Sequence, residues 1–264
     1  MSEYSTIKVN LSRKTATVTL ARSEVHNAFN EQSILELTNA FTTLGEEKSI
    51  RAIILQGEGK HFCAGADLGY MLRSAELTFE QNIAAAKTMA TMFRAIDRCP
   101  KPVIGRVHGA VLGGGIGLCA VCDTVVAIED SKYSLSEIRL GILPAVIGPY
   151  TIAKIGYSNF RSLGISAERF NAVVALRIGL IHEVVSPEKI DDAIEKRVEA
   201  LGSCAPEAIA VFKGYANRLG AVDNDAIIEH AAKLIATART GTEGREGIAA
   251  FLEKRTAAWV ESLS

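Results

Sequence analysis

The sequence predicts an α/β core with a helical region at its C-terminal end, and three observations carry that expectation. Strand-like runs fill the first half of the chain, and helix-periodic runs fill the last third. A strand, a glycine-rich loop and a helix also follow one another twice. No Pro/Gly/Ser-rich linker interrupts the chain, so the expected division is a core domain over residues 1–200 and a helical region over residues 201–264.

Taken in order, apolar and polar residues alternate through residues 7–11 and 15–20 around Ser12-Arg13-Lys14, which reads as a hairpin. Across residues 29–44, Ile34, Leu35, Leu37, Ala40, Phe41 and Leu44 recur at helical spacing. The apolar run 52–55, closed by Gly57 and Gly59, reads as a buried strand leading into the loop His61-Phe62-Cys63-Ala64-Gly65-Ala66-Asp67. A helix over residues 78–97 puts Ile83, Ala86, Met89, Ala90 and Phe93 on one face. The theme then repeats: a strand over 102–107, a glycine-rich stretch over 108–115, a helix over 115–121 and a strand over 123–128. Pro144 opens a stretch that reads as helix to residue 155. A short strand over 182–185 precedes a run of helices, with Pro187 at a helix start, where its missing N–H costs nothing.

Composition narrows the function classes. At 264 residues the chain can bury a sizeable core, and 48% hydrophobic with 22% charged residues is an ordinary globular mix. The formal net charge of −1 argues against nucleic-acid and membrane-surface partners, which call for a basic excess. No stretch approaches the ~20 apolar residues of a membrane span. The start Met1-Ser2-Glu3-Tyr4 lacks the basic and apolar segments of a secretory signal, so a cytoplasmic location is expected. Cys119 and Cys122 form a C-x-x-C pair, but no second Cys/His pair lies at zinc-like spacing. They sit in an apolar helical run and read as small packing residues, with no metal site expected.

Two segments carry the chemistry: Phe62-Cys63-Ala64-Gly65-Ala66-Asp67-Leu68 and His108-Gly109-Ala110-Val111-Leu112-Gly113-Gly114-Gly115-Ile116-Gly117. Each follows a strand and leads towards a helix. Small residues there let a ligand approach the backbone, and free N–H groups at a helix N-terminus favour an oxyanion. Two such loops can each aim one N–H at the same oxygen. The plainer reading, tight turns and close packing, stands beside it for either loop alone.

Together with Ser136-Glu137-Ile138-Arg139-Leu140-Gly141, these loops resemble the enoyl-CoA hydratase/isomerase (crotonase) superfamily, over nearly the whole chain. The resemblance implies a crotonase-like spiral of repeated ββα units, with a C-terminal helical oligomerisation region that builds a homotrimer or a dimer of trimers. It implies an acyl-CoA thioester substrate, with coenzyme A entering as part of the substrate and no tightly bound cofactor. By motif position, the N–H groups of Ala66 and Gly114 would hold the thioester oxygen. Backbone from Ala64 through Gly65, Ala66 and Asp67 to Leu68 would meet the coenzyme, as would Arg22. Phe251 and Lys254 match positions that cover a neighbouring subunit's coenzyme.

Hydratases of this family commonly use two glutamates, one beside the glycine loop and one after the next strand. The second position is Glu137 here; the first is Gly117, so the chain departs from the pattern. Leu135, Ile138, Leu140 and Ile142 make an apolar neighbourhood that suits Glu137 to proton transfer. A single carboxylate at this position is the pattern of Δ3,Δ2-enoyl-CoA isomerases. Against that, Gly-Gly-Gly-Ile-Gly-Leu with Leu-Ser-Glu-Ile-Arg-Leu-Gly-Ile-Leu-Pro is similar to the bacterial methylglutaconyl-CoA hydratase branch. The expected activity is hydration of a 2-enoyl-CoA, branched or acidic, with Arg139 as a candidate reader of an acidic tail. The alternatives are isomerase activity and a non-catalytic protein that binds CoA esters.

Overall fold

The computed structural model describes residues 4–67, 69–71, 73, 77–217, 219, 242, 246, 250, 253–258 and 260. The chain opens with the expected hairpin, β1 (Ile7–Ser12) and β2 (Thr15–Leu20), paired antiparallel with Ile7 opposite Leu20. Helix α1 (Glu31–Glu46) begins after Asn30, whose side chain accepts the Ser33 N–H at 2.8 Å in a capping box. Its buried face carries Ile34, Leu37, Ala40, Phe41 and Leu44, the stripe read from the sequence. Exposed Leu35 is the exception.

Three turns of a spiral follow, each a strand of a large sheet, a contribution to a small sheet, and then a helix. The first runs from β3 (Ala52–Gly57) through an isolated bridge at Cys63 to α2 (Phe79–Asp97). The second is β4 (Val103–Val107), β5 (Ala110–Leu112) and α3 (Gly114–Val121). The third is β6 (Thr124–Ile128), β7 (Lys132–Ser134) and, after a 3-10 turn at Glu137–Leu140, α4 (Gly148–Ser166). Then come β8 (Phe170–Asn171), α5 (Ala172–Arg177), β9 (Glu183–Val185), α6 (Ile190–Gly202) and α7 (Pro206–Ala216). The large sheet has the order β1-β2-β3-β4-β6-β9 and is parallel from β2 onward; the small one is β5-β7-β8.

The layers meet in one core in which Phe29, Phe41, Phe62, Phe93 and Tyr133 are fully enclosed. Tyr133 stacks on Phe170 with ring centroids 5.5 Å apart, tying the small sheet together. Cys119 and Cys122 are buried here as free thiols, with burial raising the Cys122 thiol to about 12, which leaves it inert. Helix α6 covers the other face of the large sheet with Ile190, Ala193, Ile194 and Val198 against Ile104 and Val126. The division expected at residue 200 falls inside α6, and most of residues 201–264 lie outside the described residues.

The structure departs from the sequence expectations at three places. Strand β5 lies within what reads as a glycine-rich loop, and β7 and β8 are too short to show a pattern. Helix α4 continues beyond residue 155 because Gly156, at φ 76°, only kinks it. In α2 the expected stripe meets the core only towards its end: Met92, Phe93 and Ile96 are buried, whereas Ile83 is exposed. The first half of that helix stands off the core.

One buried acid holds the N-terminal segment to α1. Glu36 accepts hydrogen bonds from the backbone N–H groups of Ser5 and Thr6, from both their hydroxyls, and from Gln32. Burial alone would raise its carboxyl, but these donors outweigh it and hold the group at about 2. A depressed carboxyl contributes stability that is present above its ordinary value and lost as pH falls through its folded value. Glu36→Gln is therefore expected to cost about 2–4 kcal/mol at pH 7. Urea melts should show the gap to the parent protein closing as pH falls from ~4.5 towards 2.

Candidate active site

Three segments build the site: the loop 61–67, the β5–α3 turn, and the 3-10 turn after β7. Backbone bonds sew the first two together. Phe62 donates to His108 O at 2.9 Å, Cys63 to Ala110 O at 3.2 Å, and Leu112 back to Cys63 O at 3.0 Å. The segment 26–29, outside these three, locks on from the other side, with Ala64 donating to His26 O, Phe29 to Gly65 O and Asp67 to Phe29 O. Asn27 clamps the corner, donating through its amide to Glu58 O at 2.8 Å and to His61 O at 2.7 Å. As a result, a methyl group placed on Gly65 would lie 3.5 Å from the Gly114 nitrogen.

The first loop at Gly65, the residue before Ala66, therefore lies against the Gly114 nitrogen at the N-terminus of α3. Among the described residues, no acceptor is paired with the N–H of Ala66 or of Gly114. Unpaired donors at a helix start form a seat for developing negative charge.

Glu137 completes the group. It opens the 3-10 turn after β7, and Gly113 N–H is tied to Ser134 O at 2.9 Å, which brings that turn against the head of α3. The carboxyl rests on Gly113: a methyl group there would lie 3.2 Å from Glu137 Oε1. Its Oε2 is buried without a hydrogen-bond partner among the described residues. Burial pushes the Glu137 carboxyl up, with its own backbone N–H opposing weakly. The residues that bury it differ from those expected: Ile138, Leu140 and Ile142 are 42%, 59% and 49% exposed. Of the four named, only Leu135 lies in the core. On a 3-10 turn successive side chains diverge by ~120°, so Ile138 and Arg139 leave the axis away from Glu137.

The other candidates divide. Arg22 is turned inward, pairing with Asp67 Oδ2 at 2.7 Å and donating to Ala28 O. Asp67 also accepts the Tyr70 N–H, so this pair braces the first loop instead of presenting a free cation to a phosphate. Gly117, at the position of the absent first glutamate, is buried, and a methyl group there would lie 2.3 Å from Ile147 Cγ2 and 2.8 Å from Phe93 Cε1. Arg139 is exposed. Lys254 lies in an exposed turn remote in sequence from these loops, and Leu68 and Phe251 lie outside the described residues. His61 accepts the Ala110 N–H on Nδ1, and burial lowers its pKa; it is a structural acceptor.

Sequence reasoning missed a cavity of about 490 Å³ beside Ala64, whose lining includes Lys60, Lys132, Arg169 and Asp130. Its three cations come from distant parts of the chain and form no motif. Among the described residues, no group of His, Cys, Asp and Glu is arranged to hold a metal ion, and no helix is long and apolar enough to cross a membrane.

Known proteins are similar to this chain over nearly its whole length. A family model described as "Enoyl-CoA hydratase/isomerase" matches residues 11–262. The solved structure of an enoyl-CoA hydratase from Shewanella pealeana superposes with a TM-score of 0.93 at 35% identity, covering 97% of each chain. The crotonyl-CoA hydratase of Syntrophomonas wolfei is 30% identical over 97% of this chain and 98% of its own. A peroxisomal Delta(3,5)-Delta(2,4)-dienoyl-CoA isomerase of Arabidopsis thaliana is 28% identical, over 97% of each. The expected α/β spiral is thus the fold of this protein, shared with solved members of that group.

Proposed function

The chain belongs to the enoyl-CoA hydratase/isomerase family, and from that premise we propose that it hydrates a 2-enoyl-CoA thioester through Glu137. The observation that carries the proposal is the buried, unpartnered Oε2 of Glu137, resting on Gly113 beside the open N–H groups of Ala66 and Gly114.

In this reading the two N–H groups hold the thioester oxygen. A water donates a hydrogen bond to the Glu137 carboxylate and attacks C3. As the O–C3 bond forms, Glu137 takes the water's proton and the C2=C3 electrons move onto the thioester oxygen as an enolate. Glu137 then returns the proton to C2, so the elements of water have added across the double bond. Donors fixed before reaction stabilise the enolate more than the substrate, which is where rate is gained. Coenzyme A arrives as part of the substrate, and the cationic cavity beside Ala64 is available to its anionic end. A branched or acidic acyl group, of the methylglutaconyl type, and assembly as a homotrimer or dimer of trimers belong to the same reading. Exposed Val211 and Phe212 on α7 support assembly.

One observation favours a second reading. A side chain at position 117 would collide with Ile147 and Phe93, so that position supplies no second carboxylate. A single base suffices to move a proton between C2 and C4, which is 3-enoyl to 2-enoyl isomerisation. The two readings part in one assay. Adding 2-enoyl-CoAs, 3-methylglutaconyl-CoA among them, is expected to give loss of the conjugated-thioester absorbance. No loss across the panel, with 3-enoyl-CoAs gaining conjugation, would replace hydratase by isomerase.

A further inference from the structure

Gly113 caps α3, and its carbonyl accepts the N–H of Gly117, one turn on, at 3.4 Å. The Glu137 carboxyl rests on the first and a hydrocarbon plug rests on the second. A methyl group on Gly117 would fall 2.3 Å from Ile147 Cγ2, 2.8 Å from Phe93 Cε1 and 3.0 Å from Ile147 Cβ. The Cγ2 methyl thus already occupies the space that a side chain at 117 would fill. Ile147 is 3% exposed and Phe93 fully buried, and Tyr150 backs Phe93 with ring centroids 6.1 Å apart.

We propose that Ile147 is a positioning residue for proton transfer: its Cγ2 methyl, wedged with Phe93 into the notch at Gly117, keeps water and polar groups off the helix face beside Glu137. The proposal rests on Glu137 being the acid/base group. It adds that this group's poise is set from beneath, by a residue that meets neither substrate nor reacting atoms.

The elements packed around Glu137 carry few titratable groups. Asp67 on the first loop is held by Arg22, and Tyr150 on α4 stands behind Phe93. Arg139 on the carboxyl's own turn is exposed, and Cys119 on α3 is a buried thiol whose pKa burial raises. None of these contributes to the upward shift of the Glu137 carboxyl, which comes from burial. A change in hydration of the notch is therefore the direct way to move it.

The test is the pH dependence of kcat for the thioester reaction, with thermal melts alongside. Ile147→Ala removes Cγ2 and opens the notch. It is expected to lower kcat ~10-fold or more with a smaller change in KM, and to move the acid limb down by about one pH unit. Gly117→Ala/Ile147→Ala puts a methyl back into the same space from the other side. It is expected to recover at least half of the limb's displacement, because the new methyl refills the Cγ2 space and leaves only that of Cγ1 and Cδ1 open. Ile147→Val keeps Cγ2 and is expected to keep the acid limb, which serves if the double variant does not fold. A folded Ile147→Ala with an unmoved limb, or an Ile147→Val limb displaced as far as that of Ile147→Ala, overturns the proposal. Wild-type turnover by Glu137→Gln would instead sink the assignment of Glu137, leaving a different mark from a failure of Ile147 alone.

Discussion

Glu137→Gln is expected to lower kcat by about 10²–10⁴-fold, the span of a lost general acid/base group, while the protein stays folded. The amide keeps the shape of the carboxyl over Gly113 and removes only the ability to take and return a proton. Stability should move little, and in a definite direction. Glu137 is pushed up by burial, so the folded state binds its proton more tightly than the unfolded chain does. Such a group contributes stability that is present at low pH and lost as pH rises through its folded pKa. Above its folded pKa the parent protein keeps a poorly solvated carboxylate that the amide variant lacks. Glu137→Gln is thus expected to melt at or slightly above the parent temperature while turning over far more slowly. The same shift places the acid limb of the parent's kcat profile above the ordinary carboxylate value of ~4.3. A variant that lost activity and stability together would point to Glu137 as a packing residue. A protein that bound CoA esters, yet whose turnover did not depend on Glu137, would restore the non-catalytic reading.

The parts of this site differ in how they were written into the chain. The loops around Ala66 and Gly114 are visible as small-residue runs after strands because the backbone itself must come close, and closeness selects glycine and alanine. The hairpin and α1 are visible because one face of each is buried over several periods. Strands β7 and β8 are not, since three and two residues cannot show a period. Yet β7 brings Glu137 to Gly113. The surroundings of Glu137 were misread for a related reason. Neighbours in sequence on a tight 3-10 turn point apart, so Ile138, Leu140 and Ile142 face outward. The contacts that matter join positions 93, 117 and 147, from three different helices or their caps, and no local pattern records them. Asp67 and Arg22 show the converse: charged residues beside a ligand-like loop, spent on each other.

Gly113→Ala is the second change with a large expected effect, and it acts on geometry alone. Gly113 adopts φ 49° and ψ −115°, a conformation that residues with a Cβ rarely enter, and its carbonyl accepts the Ile116 N–H at 2.9 Å in the first turn of α3. Forcing alanine into it costs about 1–3 kcal/mol of backbone strain. The added methyl would also lie 3.2 Å from Glu137 Oε1 and 3.5 Å from its Cδ, so the carboxyl must give way. Because Gly114 follows directly, relaxing the strain also turns the Gly114 N–H. Base and oxyanion donor are therefore displaced together, and a shift of ~1 Å at reacting groups is enough for a 10²-fold loss in kcat. The expected result is a folded protein, less stable by that strain, which still binds coenzyme A but has lost about two orders of magnitude in kcat. Calorimetric titration with coenzyme A separates the two effects, since the free thiol has no thioester carbonyl to form an enolate and needs neither Glu137 nor the Gly114 N–H. Wild-type kcat in Gly113→Ala would mean that the carboxyl is not held against Gly113 during turnover.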